Sequence, residues 1–224
     1  MALDHPSQSV LEFQAALGSG FPDLAPLTEP VSLRWAKFLS TVISPPFTFL
    51  IACTLLGTAI SNEVVSQGSQ GFRIGVLGGL FPLVLLVVLK RVGHVHSLEL
   101  DTLEERVYGF LLALLGGFLC LWIFSEGTAG ALNSFIVCHL AVTSLFLLIT
   151  IMTMPRGWKM SVHCGSAAYL IIVGLYTHST ALAVCAAIGV ILVGWSRLHL
   201  NRHSLSEISF GTALSVVVGS LLLL

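Results

Sequence analysis

The stretch ALNSFIVCHLAVTSLFLLITIMT, residues 131–153, contains no Asp, Glu, Lys or Arg. Wound into a helix at about 1.5 Å per residue, it reaches across the roughly 30 Å of a bilayer's hydrocarbon. Runs of the same kind recur seven times, at 38–60, 72–89, 107–125, 131–153, 164–178, 180–195 and 208–224. The fifth and sixth are short and separated only by Thr177 to Ser179, so they form a tight helical hairpin or one broken element. The expected fold is all-α: a polytopic membrane helix bundle of six to seven transmembrane helices over 38–224, preceded by a polar N-terminal segment, 1–37. That segment scatters Pro, Gly and Asp and lacks the basic start and apolar core of a secretory signal.

Composition agrees with this expectation. Of 224 residues 55% are hydrophobic and 9% charged, and the mean hydropathy is +0.95. Soluble domains carry about 25% charged residues, so the missing charge reads as lipid-facing surface. A net charge of −1 with no basic run or face speaks against nucleic-acid binding. Cys53, Cys120, Cys138, Cys164 and Cys185 lie in or beside apolar runs without a CxxC pair, and are read as small apolar filler. Gly78-Gly79, Gly116-Gly117 and Gly165 are expected where helices approach closely. His139 lies deep in the fourth run, and a hydrogen bond to a neighbouring helix is expected there.

The few charges are not scattered. With seven crossings, the N-terminus and the loops after the second, fourth and sixth runs share one side. Nine of the ten Lys and Arg residues fall there, with only Arg73 opposite. By the positive-inside rule that side, the expected active-site face, is cytoplasmic.

Three polar clusters occupy those same-side loops. In the third, Gly194 to Glu207, His203 and Glu207 stand at i and i+4, so the carboxylate can reach the imidazole, fix its tautomer and leave its other nitrogen free for attack. Arg197 supplies a fork of donors matched to phosphate oxygens. Ser204 and Glu207 also have capping-box spacing. In the second cluster, Arg156 to His163, Lys159 adds a point charge, Ser161 stands at a helix start suited to phosphate or to simple N-capping, and His163 can protonate a leaving oxygen. In the first, Lys90 to Arg106, Arg106 at the entrance to the third run can close a phosphate cage. Glu99, Asp101, Glu104 and Glu105 are expected to form a solvated face.

The pattern resembles the type 2 phosphatidic acid phosphatases, whose motifs are Lys-x6-Arg-Pro, Pro-Ser-Gly-His and Ser-Arg-x5-His-x3-Asp. Ser196-Arg197, His203 and Glu207 reproduce the third motif with Glu in place of Asp, and Ser161-Val162-His163 keeps the Ser and His of the second. In the first, Arg106 is followed by Val107, and Glu99 stands where the Lys would be. The spacing is similar to a divergent bacterial-type branch, with an acidic stretch ending in Glu-Glu-Arg and a Lys-x-Ser-x-His. The resemblance implies a lipid phosphate phosphatase without metal or cofactor. His203 would form a phosphohistidine, Glu207 would orient it and His163 would protonate the leaving group. Arg106, Lys159, Arg197 and Ser161 would hold a membrane lipid phosphate. Phosphatidate, phosphatidylglycerol phosphate and polyprenyl (di)phosphate all present the same group to such a cage.

Two other readings stand beside it. His94, His96, His199 and His203 can serve as ligands of a metal-dependent membrane oxidase. A catalytically silent family member, a structural subunit or a transporter is the non-enzyme alternative, although apart from His139 no ionisable group lies deep in a run, which speaks against an ion-coupled carrier.

Overall fold

The computed structural model describes residues 30–59, 64–124 and 130–224; most of the expected polar N-terminal segment therefore lies outside the described residues. Helix α1 (Val31–Val42) meets α2 (Pro45–Ala59) at a bend of 50°. The break is dictated locally: proline lacks an N–H and disfavours helical backbone before it, so the chain stops ahead of Pro45-Pro46 and restarts with them in the first turn. The first expected run thus resolves into two helices, and α1 begins inside the stretch expected to be polar tail. Helix α3 (Val64–Gly75) continues through one π-helical turn, Val76–Leu80, into α4 (Phe81–Arg91). Then follow α5 (Leu103–Phe124), α6 (Gly130–Thr153) with a 3-10 turn at Met154–Arg156, α7 (Val162–Tyr176), α8 (Thr180–His199) and α9 (Leu205–Leu223).

Five helical stretches are long and apolar enough to cross a membrane: Ser69–Arg91, Leu103–Phe124, Leu132–Arg156, Thr180–His199 and Leu205–Leu223. The bent α1–α2 pair makes a sixth if counted as one span. Helix α7, at 15 residues, reaches about 22 Å at 1.5 Å per residue. It turns into α8 through His178, whose φ is 53°, with Ser179 capping the next helix. The protein is an all-α, multi-pass membrane bundle.

Small residues let these helices touch. A Cβ added at Gly79 would lie 2.6 Å from the Pro46 carbonyl oxygen of α2, and one at Gly116 would lie 3.0 Å from that of Gly78. One at Gly165 would meet the Ser215 hydroxyl of α9 at 2.8 Å. Between the helices runs an aromatic line, Phe49 to Phe135 at 5.7 Å and Phe135 to Tyr169 at 5.1 Å, set among buried Leu132, Ile136 and Val173. Outward, Trp122, Ile191 and Leu221 are exposed apolar side chains, a surface that lipid rather than water would cover. Pairing α2 with α3–α4, α5 with α6, and α7 with α8 and α9 returns the three polar loops to one end of the bundle.

Candidate functional site

Arg106 ties the three loops together. It stands in the first turn of α5 and is buried. Its Nε donates to the Leu100 carbonyl at 3.2 Å and its Nη1 to the Met160 carbonyl at 3.0 Å, while Nη2 lies 3.4 Å from His203 Nε2. Glu207 makes the other join. In the first turn of α9 it closes a capping box with Ser204, accepting from the Ser204 N–H at 2.8 Å, and its second oxygen accepts from the Lys159 N–H at 2.7 Å. Its carbonyl accepts from the Ser161 N–H at 3.1 Å. One carboxylate at a helix N-terminus, where the dipole favours negative charge, therefore clamps the second loop to the third.

The surroundings of His203 decide its tautomer. Nδ1 lies 3.1 Å from the Lys159 carbonyl, a group that only accepts, so Nδ1 carries the proton. Nε2 faces a guanidinium, which only donates, and so presents its lone pair. Glu207 Oε2 lies farther from Nδ1, at 3.5 Å. The carboxylate thus reaches the imidazole as the i, i+4 spacing predicts, but the closer Lys159 carbonyl, not Glu207, fixes the tautomer. The carbonyl fixes the ring, and the carboxylate stands behind as a counter-charge. Burial, reinforced by the positive charges of Arg106 and Arg197, pushes the His203 pKa below its ordinary value, keeping the imidazole neutral. Lys159, half-buried, is pushed the same way by burial and by Arg106; its Nζ donates to the Asp101 carbonyl at 3.4 Å.

Arg197 is 1% exposed, and its charge acts on both His163 and His203. Its Nη1 donates to the Ser40 hydroxyl at 2.7 Å and pairs with Glu99 Oε2 at 3.2 Å. Next to it the Ser196 hydroxyl donates to the Ala36 carbonyl at 2.6 Å, pinning α8 to α1. The same Glu99 oxygen lies 3.3 Å from Arg202 Nε, and Arg202 also pairs with Asp101. Buried Glu105 accepts from the His96 backbone N–H at 2.7 Å and lies 2.9 Å from its Nδ1. The solvated acidic face expected of Glu99, Asp101, Glu104 and Glu105 therefore holds only for Glu104, which is exposed. The other three are recruited by cations or by the loop backbone. Glu99, Asp101, Arg202 and Ser40 are site residues that sequence reasoning passed over. The available signal was the spacing that puts an acid, Glu99, at the position of a motif lysine.

His163 lies in the first turn of α7, within range of the charges of Arg197, His203 and Arg106. Together with Glu99 and Arg106 it lines the polar mouth of a cavity of about 600 Å³. Below the mouth Pro46, Leu83, Phe110 and Phe146 make the walls apolar, with Gly78 and Gly79 of the π-helical turn on one side. Such turns recur at functional sites. At the deep end stand His139 and Tyr169. The hydrogen bond expected of His139 does not involve Nε2, which has no partner, and its ring packs on Phe49 at 4.3 Å. Ser161 is fully buried and its Oγ caps α7, accepting from the Cys164 N–H at 3.4 Å. It stands in the structure as a helix cap, not in the cavity wall.

The ligand set of the oxidase reading is not assembled. His94 is exposed, His96 turns to Glu105, and His199 stacks on Trp195 at 5.1 Å. Among the described residues no three His, Cys, Asp or Glu side chains gather as a metal site would require. All five cysteines are free, four of them buried.

What the arrangement offers chemically is a neutral imidazole with an aimed lone pair, a second imidazole within electrostatic range of it, cations around both, and a largely apolar cavity reached past Arg106 and His163. Comparison with protein-family models, with curated proteins and with solved structures finds no match to this chain.

Proposed function

We propose that this protein is an integral-membrane phosphatase acting on a lipid phosphate through a phosphohistidine. The observation that carries the reading is the pairing of His203 Nε2 with Arg106 at 3.4 Å, the arginine that lines the cavity mouth together with His163. A nucleophile needs a free lone pair next to donors that can hold the oxygens it attacks between.

The chemistry follows from the contacts. Phosphoryl oxygens take over the Arg106 Nη2 donor and draw in Lys159 Nζ. The His203 Nε2 lone pair then forms the N–P bond as the P–O ester bond breaks, and the departing alkoxide takes a proton from His163. A monoanionic phosphate ester, with a second pKa near 6, can bring that proton into the site. The phosphorylated imidazole is cationic, and the Lys159 carbonyl and the Glu207 carboxylate at Nδ1 stabilise it. Water, losing its proton to His163, attacks the phosphorus, the N–P bond breaks and phosphate leaves. The alcohol released is the lipid part. The apolar cavity beneath the mouth suits its hydrocarbon, because apolar walls favour a chain over water by about 25 cal/mol per Å² buried. We place this mouth on the cytoplasmic side on the strength of the Lys and Arg bias alone.

The test is phosphate release from a panel of lipid phosphates by the purified protein, His203→Ala and Arg197→Ala, with and without chelator. Release that resists chelator and disappears in His203→Ala is expected. Undiminished turnover in His203→Ala would reject the nucleophile.

A further inference from the structure

The cations of the site are not equally free to meet a phosphate. Arg197 and Arg202 share the Glu99 carboxylate at 3.2 and 3.3 Å, and Arg202 holds Asp101 as well. Among the described residues no carboxylate lies within ion-pair distance of Arg106 or Lys159. Around the two histidines, Arg106, Lys159, Arg197 and Arg202 face Glu99, Asp101 and Glu207. Four cations against three carboxylates leave one net positive charge. Glu99 is placed to matter most. It lines the cavity mouth beside Arg106 and reaches the inner arginine, Arg197, whose Nη1 it shares with Ser40.

We propose that Glu99 restricts the site to a single phosphoryl group, so that the substrate is a lipid monophosphate and not a diphosphate. This rests on the phosphatase reading above. One phosphoryl group finds two cations without a direct ion-pair partner, Arg106 and Lys159, next to the nucleophile. A second group, carrying one to two more negative charges, has to share Arg197 and Arg202 with a carboxylate that already bridges them. Like charges a few ångströms apart are mutually unfavourable, most strongly where water is excluded, and Arg197 lies in such a place. Discrimination comes from this repulsive element as much as from the attractive ones.

The experiment compares a matched pair, dodecyl monophosphate and dodecyl diphosphate, by phosphate release from the detergent-purified full chain. Binding of inorganic phosphate and pyrophosphate is measured alongside by equilibrium dialysis. In the wild type the monophosphate is expected to be favoured at least tenfold in kcat/KM, and phosphate at least tenfold over pyrophosphate in affinity. In Glu99→Gln both ratios shrink by at least tenfold because the doubly phosphorylated member gains. Glu99→Asp, which keeps the charge, retains the preference and guards against a mere folding effect. Equal use or equal binding of the two by the wild type, or ratios unmoved in Glu99→Gln, would overturn the proposal. If dodecyl monophosphate is not hydrolysed yet the binding preference follows Glu99, the selector stands and the phosphatase reading falls.

Discussion

His203 Nε2 lies 3.4 Å from the Arg106 guanidinium, across 97 residues of chain, while Nδ1 on the other side of the ring meets the Lys159 carbonyl at 3.1 Å. A ring held between an obligate donor and an obligate acceptor has one neutral tautomer available. Protonation would push a second positive charge against Arg106.

That arrangement has a pH signature. The folded-state pKa of His203 lies below its ordinary value, through burial first and then Arg106 and Arg197. As pH falls through the unfolded imidazole's value, about 6.5, the unfolded chain binds a proton that the folded one refuses, so stability is lost toward acid pH. Thermal unfolding followed between pH 8 and 5 is expected to show this loss. His203→Gln, which cannot titrate, is expected to flatten it.

Glu207 is expected to act mainly as a clamp. Its oxygens accept from the Ser204 and Lys159 N–H groups at 2.8 and 2.7 Å. Gln at this position keeps one acceptor and turns a donor toward the other N–H. Leaving a buried donor unpaired costs about 1–3 kcal/mol. A lowered unfolding temperature together with a reduced kcat is the expected result, and loss of kcat at unchanged stability would assign Glu207 to the chemistry alone.

Arg197 carries structure as well as charge. It is buried and joins Ser40 of α1 to Glu99. Removing it takes a charge-assisted hydrogen bond from Ser40 and one of two cations from the half-exposed Glu99, which keeps Arg202, a loss of about 1.5–3 kcal/mol. Arg197→Ala is therefore expected to lower stability as well as activity. Arg197→Lys, which keeps the charge but loses the fork that serves both partners, is expected to recover only part of either.

Five to six membrane-length helices among the described residues, and the meeting of alternate loops at one end of the bundle, were legible because hydrocarbon thickness sets a length and parity sets a side; the break at Pro45 was not. His163, Lys159, Arg106 and His203 could be named from residue chemistry and motif spacing. The partners of Glu99 could not. Whether a carboxylate faces water or an arginine 98 residues away depends on how a loop folds over, which no periodicity records. The same limit hid the Lys159 carbonyl behind His203, since a backbone oxygen has no residue identity to read. It also hid the unpartnered Nε2 of His139, a property of the cavity and not of the helix that carries it.

The cavity can be tested by filling it. Ala113 lines it on α5, near Phe110. Ala113→Trp is expected to lower kcat/KM for a long-chain phosphate at least tenfold while leaving a short, water-soluble phosphate ester nearly unaffected. Equal losses on both would place the hydrocarbon elsewhere.

Packing offers a paired control. A Cβ at Gly165 would press on Phe146, Ser215 and the Gly211 carbonyl, whereas one at Gly189 meets nothing within 4 Å. Overpacking costs about 1–3 kcal/mol, and Ala in an open helix position gains up to about 1 kcal/mol over Gly. Gly165→Ala should lower the unfolding temperature and Gly189→Ala should hold or raise it.

The most direct measurement is to trap the phosphoenzyme. The purified protein is mixed with a long-chain alkyl phosphate labelled in its phosphoryl group, quenched within milliseconds to seconds, and mapped by mass spectrometry. Label that is acid-labile, base-stable and located on His203, absent from His203→Ala, is the expected result. Steady hydrolysis with no label on His203, or label that persists when His203 is replaced, would contradict it.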